Sequence, residues 1–200
     1  MRYAMVLDQK RCVGCDACAI ACKQSNGVGP GAFWSRVIKT EEGVYPSARQ
    51  KFLPVLCNHC DSPACVSVCP IGATVKRDDG IVAVDSDRCI GCRYCIAACP
   101  YEVRHMVLDN SEGYYGDLGL TPYESARYAS HVPGTVEKCD FCSARLEEGK
   151  QPACVQCCPA RARTFGDLDD PESEVARMVA QRPATRLKPE FGTEPQVYYV

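Results

Sequence analysis

Seventeen cysteines in a chain of 200 residues fall into four tight groups whose internal spacing repeats. Cys12, Cys15, Cys18 and Cys22 form the first group and Cys89, Cys92, Cys95 and Cys99 the third; both read C-x2-C-x2-C-x3-C. The second, Cys57, Cys60, Cys65 and Cys69, has a longer middle gap, and the fourth runs from Cys139 and Cys142 across eleven residues to Cys154 and Cys158. Proline follows the last cysteine of three groups, as Pro70, Pro100 and Pro159. Three thiolates two residues apart can wrap one cubane of iron and sulfide, one thiolate to each of three iron corners. The last cysteine is expected on the short helix that begins inside the motif, pointing away to ligate a second cluster, so motifs work in pairs. A following proline cannot continue that helix and fixes the exit of the chain.

Other cysteine chemistries fit less well. Structural zinc uses C-x2-C pairs separated by a dozen or more residues, which the fourth group alone imitates, but it calls for neither a third close cysteine nor a C-P ending. Thiols three residues apart on a loop are poorly placed to bridge one another as disulfides. A thioredoxin-like pair needs a βαβ setting, which none of these C-x2-C units has. Cys157, beside Cys158, is the odd residue. Only Cys158 keeps the x3 spacing from Cys154 and directly precedes proline, so Cys157 is expected to be a small buried apolar side chain.

Further residues carry a resemblance. Tyr3-Ala4-Met5 leading to Cys12-Val13-Gly14-Cys15, Cys57-Asn58-His59-Cys60, Glu137-Lys138-Cys139-Asp140-Phe141-Cys142, Thr164 to Pro171, and the tail with Leu187-Lys188-Pro189-Glu190 stand in this order. With them the chain resembles, over nearly its whole length, the four-cluster ferredoxin-like electron-transfer subunits of the dimethyl sulfoxide reductase family of molybdopterin oxidoreductases. It looks most like the polysulfide or thiosulfate reductase and respiratory arsenate reductase small subunits. The resemblance implies an α+β fold of two nested ferredoxin-like halves of the bacterial dicluster type, with short strands, short helices and long loops. Residues 1–56 with 136–170 would form the first half and 57–100 the second; 101–135 would be an insert and 171–200 a C-terminal helix and tail.

The same resemblance implies four 4Fe-4S clusters. One takes Cys12, Cys15, Cys18 and Cys158; its neighbour takes Cys139, Cys142, Cys154 and Cys22. The inner pair takes Cys57, Cys60, Cys65 with Cys99, and Cys89, Cys92, Cys95 with Cys69. Some relatives replace one ligand of the third motif and hold a three-iron cluster, whereas here every position is cysteine. The implied partners are a molybdopterin catalytic subunit and a membrane quinone-binding subunit. The implied role is electron relay in anaerobic respiration with polysulfide, thiosulfate, arsenate or a similar acceptor. Similar small subunits serve catechol dehydroxylases and hydroxyl transferases, and a stand-alone ferredoxin is a third reading. Co-export with a twin-arginine-bearing partner would place the chain outside the cytoplasm; the hydroxyl transferase reading keeps it inside.

The elements that must position the cysteines are short. Thr74-Val75-Lys76, a turn through Arg77-Asp78-Asp79-Gly80, and Ile81 to Val84 read as a hairpin joining motifs two and three. Asp170 and Pro171 read as an N-cap and first turn, with Val175, Met178 and Val179 as an apolar helical face. Between Tyr101 and Val136 lies a cysteine-free stretch with Gly113-Tyr114-Tyr115-Gly116, Tyr123, Tyr128 and His131 and no clean period; partner docking is the preferred reading, a covering loop the other. His59, inside a motif, is expected to make a loop hydrogen bond, and Trp34 to cover apolar surface near the first cluster pair.

Composition narrows the function. The 46% hydrophobic fraction includes the cysteines, so the apolar core is thin and metal ligation would staple it. The chain opens Met1-Arg2-Tyr3 and runs into strand-like Ala4 to Leu7, leaving no room for a signal peptide, and it has no apolar run of about 18 residues. A net charge of −2 with interspersed signs lacks the basic stripe of nucleic-acid binding. No nucleophile-base pair, phosphate loop or zinc-protease motif is present, so no catalytic site of its own is expected. Four cubanes would add roughly −8 to the charge. Lys10, Arg11, Lys23, Arg88, Arg93 and Lys138 stand near enough in sequence to offset this, although the default for each is a solvated cation.

Overall fold

A computed structural model describes residues 1–109 and 113–200. In chain order the elements are β1 (Tyr3–Leu7), α1 (Ala17–Asn26), β2 (Ser35–Glu42), β3 (Arg49–Leu56), α2 (Ala64–Ser67), β4 (Thr74–Lys76), β5 (Val82–Val84) and α3 (Tyr94–Ala97). There follow β6 (His105–Met106), α4 (Pro122–Tyr128), β7 (Val136–Glu137), α5 (Ser143–Glu147), α6 (Ala153–Gln156), β8 (Arg163–Asp167), α7 (Glu174–Gln181) and β9 (Val197–Tyr199). The fold is α+β, built from short elements in two ferredoxin-like repeats.

The first strand is the organising element. β1 pairs antiparallel with β8, Tyr3 opposite Asp167 and Leu7 opposite Arg163, and parallel with β9, Met5 opposite Val197. Because side chains alternate along a strand, β1 divides its residues between two cores. Met5 and Leu7 pack with Phe165, Val197, Tyr199 and several cysteines; Ala4 and Val6 pack with Val175 and Tyr198 under α7. Both ends of the chain are thereby tied to one strand.

Proline explains where the short helices stop. The expectation that the last cysteine of each motif rides on its helix holds for Cys22, inside α1, but not elsewhere. α2, α3 and α6 end at Ser67, Ala97 and Gln156, before Cys69, Cys99 and Cys158. Each of those cysteines precedes a proline, whose ring disfavours helical geometry in the residue before it. Cys22 precedes Lys23, and α1 continues to Asn26.

Three other local readings shift. The C-terminal helix begins at Glu174, with Ser173 as its N-cap accepting from the Ala176 amide at 3.1 Å. Asp170 instead accepts from the Glu172 amide at 2.9 Å, forming the turn before the helix. The hairpin return strand starts at Val82, because the Ile81 carbonyl accepts from the Arg77 amide to close the turn. β2 and β3 form a hairpin the sequence reading did not identify, with Pro54 accepted because a two-stranded ribbon has free edges.

The cysteine-free stretch contains α4, which carries a capping box: Thr121 and Glu124 bond reciprocally, with Pro122 in the first turn. That helix lies against α1, where the Tyr123 hydroxyl donates to the Gln24 carbonyl. Residues 110–112 of the stretch lie outside the described residues. No helix among the described residues is long and apolar enough to cross a membrane.

Candidate iron-sulfur sites

Each motif loop makes the same turn. The residue just before the second cysteine is left-handed in all four: Gly14 (φ 66°), His59 (φ 41°), Gly91 (φ 66°) and Phe141 (φ 56°). This conformation curls the loop so that successive thiols face one centre. Glycine adopts it freely. At Gly14 and Gly91 it is also required by space, since an added Cβ would lie 2.3 Å from the Phe52 ring and 2.1 Å from the Gly134 carbonyl oxygen.

The loops bring together cysteines far apart in sequence. Cys12, Cys15, Cys18 and Cys158 line one small cavity, together with Arg163. Cys69, Cys89, Cys92 and Cys95 line another. Fully buried Cys139 has Cys22, Cys142 and Cys154 around it, and the Asn26 amide nitrogen spans Cys22 Sγ at 3.5 Å and Cys142 Sγ at 3.7 Å. Cys60 is surrounded by Cys57, Cys65 and Cys99. Backbone amides reach two of the crossing cysteines in the same way: Ala73 N–H donates to Cys69 Sγ at 3.2 Å and Ala162 N–H to Cys158 Sγ at 3.3 Å.

Burial and then the neighbouring thiols push Cys22 and Cys139 well above the ordinary thiol range, and burial lifts Cys60 to about 12. Such thiols ionise only when positive charge arrives with the ligand they bind, so loading releases protons. Among the described residues, no three Cys, His, Asp or Glu side chains converge at the spacing of a single ion. A cubane has no need of that convergence, because its thiolates sit on separate irons around a body. All seventeen cysteines are free thiols.

Buried cations also fit anionic clusters. Arg104, Lys138 and Arg163 are each 4% exposed. Lys138 donates to the Cys139 carbonyl at 2.9 Å and to the Val82 carbonyl. Arg163 Nη1 and Arg104 Nη2 are buried with no hydrogen-bond partner. Burial opposes the charge of both arginines, but cysteines, foremost Cys154 and Cys18 for Arg163 and Cys65 and Cys57 for Arg104, hold their pKa above the usual value. A buried cation with no carboxylate is costly unless another anion faces it.

The remaining candidates have structural places. The His59 Nδ1 accepts from the Val82 amide at 3.1 Å, the loop hydrogen bond expected of it. Trp34 packs on the main core and lies 6.1 Å from the His131 ring. Cys157 is half-buried and its thiol donates to the Cys154 carbonyl at 3.7 Å. Of the cations singled out by sequence proximity, Lys138 alone is buried; Lys23 binds the Gly29 and Ala32 carbonyls, Arg88 the Ile71 carbonyl, and Arg11 faces Asp8 at 3.7 Å. Sequence reading missed Arg104 and Arg163. Their signal was present: both close a C-P-x3-R string, from Cys99 and from Cys158.

Comparison with known proteins agrees with this geometry. The 4Fe-4S dicluster domain matches residues 48–115 and 109–168. An iron-sulfur subunit assigned to a dimethyl sulfoxide reductase of Halobacterium salinarum is 44% identical over 99% of this chain and 78% of its own. The arsenate respiratory reductase iron-sulfur subunit of a Shewanella species is 41% identical over 100% of this chain and 96% of its own. A subunit of the selenate reductase of Mesobacillus selenatarsenatis is 44% identical over 100% and 72%. These relatives are subunits of reductases, the first two named for their iron-sulfur content, and the 4Fe-4S repeats span motifs two, three and four. The chain belongs to the iron-sulfur electron-transfer subunits of the dimethyl sulfoxide reductase family of molybdopterin oxidoreductases.

Proposed function

We propose that the chain relays electrons through four 4Fe-4S clusters, held by the four cysteine sets stated above, between an electron donor and a molybdopterin catalytic subunit. When bound, each cluster supplies a one-electron carrier. Three adjacencies support one order of the sets. Arg163 lies between Cys18 of motif one and Cys154 of motif four. His59 of motif two stacks on Phe141 of motif four. Arg104 lies between Cys57 and Cys65 of motif two and Cys95 of motif three. The string therefore runs from motif one through four and two to motif three.

One observation carries this reading. The exposed cysteines are Cys15 and Cys92, one in the set at each end of that string, while Cys22, Cys139, Cys142 and Cys154 are buried. Electrons can enter and leave only where a partner approaches closely, so the ends are the docking faces, and the set of motif four between them is insulated from solvent.

The names of the relatives, reductases of arsenate, selenate and tetrathionate, favour a respiratory acceptor at the catalytic subunit, with electrons arriving from a membrane quinone-linked subunit. This chain then has no catalytic site of its own. On this reading residues 1–56 and 136–170 form the half holding the sets of motifs one and four, and 57–100 the other half. Co-export with the catalytic subunit would place the complex outside the cytoplasm. The test is anaerobic purification with the native partner, followed by iron analysis, EPR and identification of the partner's cofactor. Roughly sixteen irons, no three-iron signal and a molybdopterin partner are expected. A three-iron centre or far fewer irons would overturn the cluster assignment; a partner without molybdopterin would overturn the pairing.

A further inference from the structure

Arg104 and Arg163 occupy one position of the internal repeat. Each stands five residues after the last cysteine of its motif, Cys99 or Cys158, with proline directly after that cysteine. The same position holds Gly27 in motif one and Thr74 in motif two. Pairing motif one with four and two with three therefore gives one arginine to each half. Thr74 is buried and faces its counterpart, accepting from Arg104 Nη1 at 3.4 Å.

Their surroundings match as well. Arg163 opens β8, lines the cavity of Cys12, Cys15, Cys18 and Cys158, and donates from Nη2 to Cys18 Sγ at 3.1 Å. Cys154, from the neighbouring set, is the thiol acting on it most strongly. Arg104 immediately precedes β6; Cys65 and Cys57 of one set and Cys95 of the other act on it. Each guanidinium keeps a buried Nη atom without a protein partner, and neither is solvated enough for water to screen its charge.

We propose that Arg163 and Arg104 are equivalent tuning residues, each lodged between the two clusters of its half and raising the reduction potential of both at once. One-electron reduction adds one negative charge to a cluster, and a fixed cation at its thiolates favours that state. Net charge and hydrogen bonds to sulfur are the levers the protein holds over such potentials. One cation shared by two clusters moves them together, which keeps neighbours close in potential and the path through the half nearly level. The inference rests on the four-cluster reading.

The test is an EPR-monitored redox titration of the full chain in complex with its catalytic partner, with iron content measured on the same samples. Arg163→Gln is expected to lower the reduced-to-oxidised ratio of two clusters about tenfold at fixed potential, about 59 mV for a one-electron couple, leaving the other two in place. Arg104→Gln should move the complementary two. Arg163→Lys and Arg104→Lys keep the charge and should shift less than half as far. Full iron with unmoved potentials, a shift confined to one cluster, or lysine variants shifting as far as glutamine would overturn the proposal. If a glutamine variant loses iron from its half, lysine restoring both clusters supports the role of charge, and loss in the lysine variant too overturns it in favour of shape. A wild-type chain with fewer than four clusters would instead overturn the cluster assignment.

Discussion

The His59 ring stacks on Phe141 with 3.8 Å between centroids and 28° between planes. Both residues fill the left-handed slot before the second cysteine of their motifs, where motifs one and three have glycine. A bulky side chain there costs about 1–2 kcal/mol of backbone strain. The contact offsets it by joining motif two to motif four across the centre of the molecule, with Phe165 packed edge-on to Phe141 at 5.1 Å.

Phe141→Ala should therefore weaken both halves. Phe141 is 1% exposed, and emptying such a site costs about 3–5 kcal/mol. The measurement is the denaturant midpoint for loss of visible cluster absorbance under anaerobic conditions. A fall affecting only the clusters of motifs one and four would contradict the bridging role.

Gly91 makes a sharper case, because conformation and space both demand glycine. Gly91→Ala should cost about 1–2 kcal/mol for the left-handed backbone, and its Cβ would also press on the Gly134 carbonyl. Gly192→Ala, left-handed with φ 64° and nothing within 4 Å, meets the backbone term alone. Iron content should drop in the first variant and hold in the second; equal loss would mean that the close approach is unimportant.

Cysteine replacement tests the sharing of ligands between motifs. Cys22→Ser should remove the cluster of Cys139, Cys142 and Cys154 while leaving the cluster beside its own motif loop, Cys12, Cys15 and Cys18, more nearly intact. Cys157→Ser should keep every cluster, since its thiol points to the Cys154 carbonyl. Loss of a cluster in Cys157→Ser would move the ligand from Cys158 to Cys157.

His131 supplies a pH signature. Its Nδ1 faces both Glu137 carboxylate oxygens at 2.7 and 2.8 Å, and its Nε2 faces the Asn26 carbonyl at 2.8 Å. Both ring nitrogens thus donate, which only the imidazolium can do. The Glu137 hydrogen bond holds its pKa above the ordinary 6.5 against the pull of burial. With the folded value raised, the stabilisation is full below the unfolded value and is lost as pH rises through the folded one. Cluster bleaching in fixed denaturant should accelerate as pH climbs above about 6.5, and His131→Gln should flatten that rise; an unchanged slope would remove this pair from the account.

Much of the site was legible in the chain because cubane ligation leaves a local signature. Three cysteines on one loop must be close in sequence, so the motif loops could be read directly, and the C-P endings marked where the chain turns away. The hairpin between motifs two and three was equally local, with Gly80 closing its turn. The helix ends were less so: proline after Cys69, Cys99 and Cys158 stops the helix before the cysteine, a steric effect stronger than the motif's periodicity. The capping box at Thr121 and Glu124 was readable but lay in a stretch without apolar period.

By itself, the sequence determined that soft sulfur ligands come in four repeated loops, since loop spacing is a property of neighbouring residues. Only the tertiary structure decided which distant groups share a site. Asn26 lies against Cys142, Arg163 against Cys18, and His59 against Phe141, because β1 draws both ends of the chain onto one sheet and packs the motif loops together. The two buried arginines show the same limit: C-P-x3-R is visible in one dimension, but what their charge faces depends on burial among cysteines from other loops.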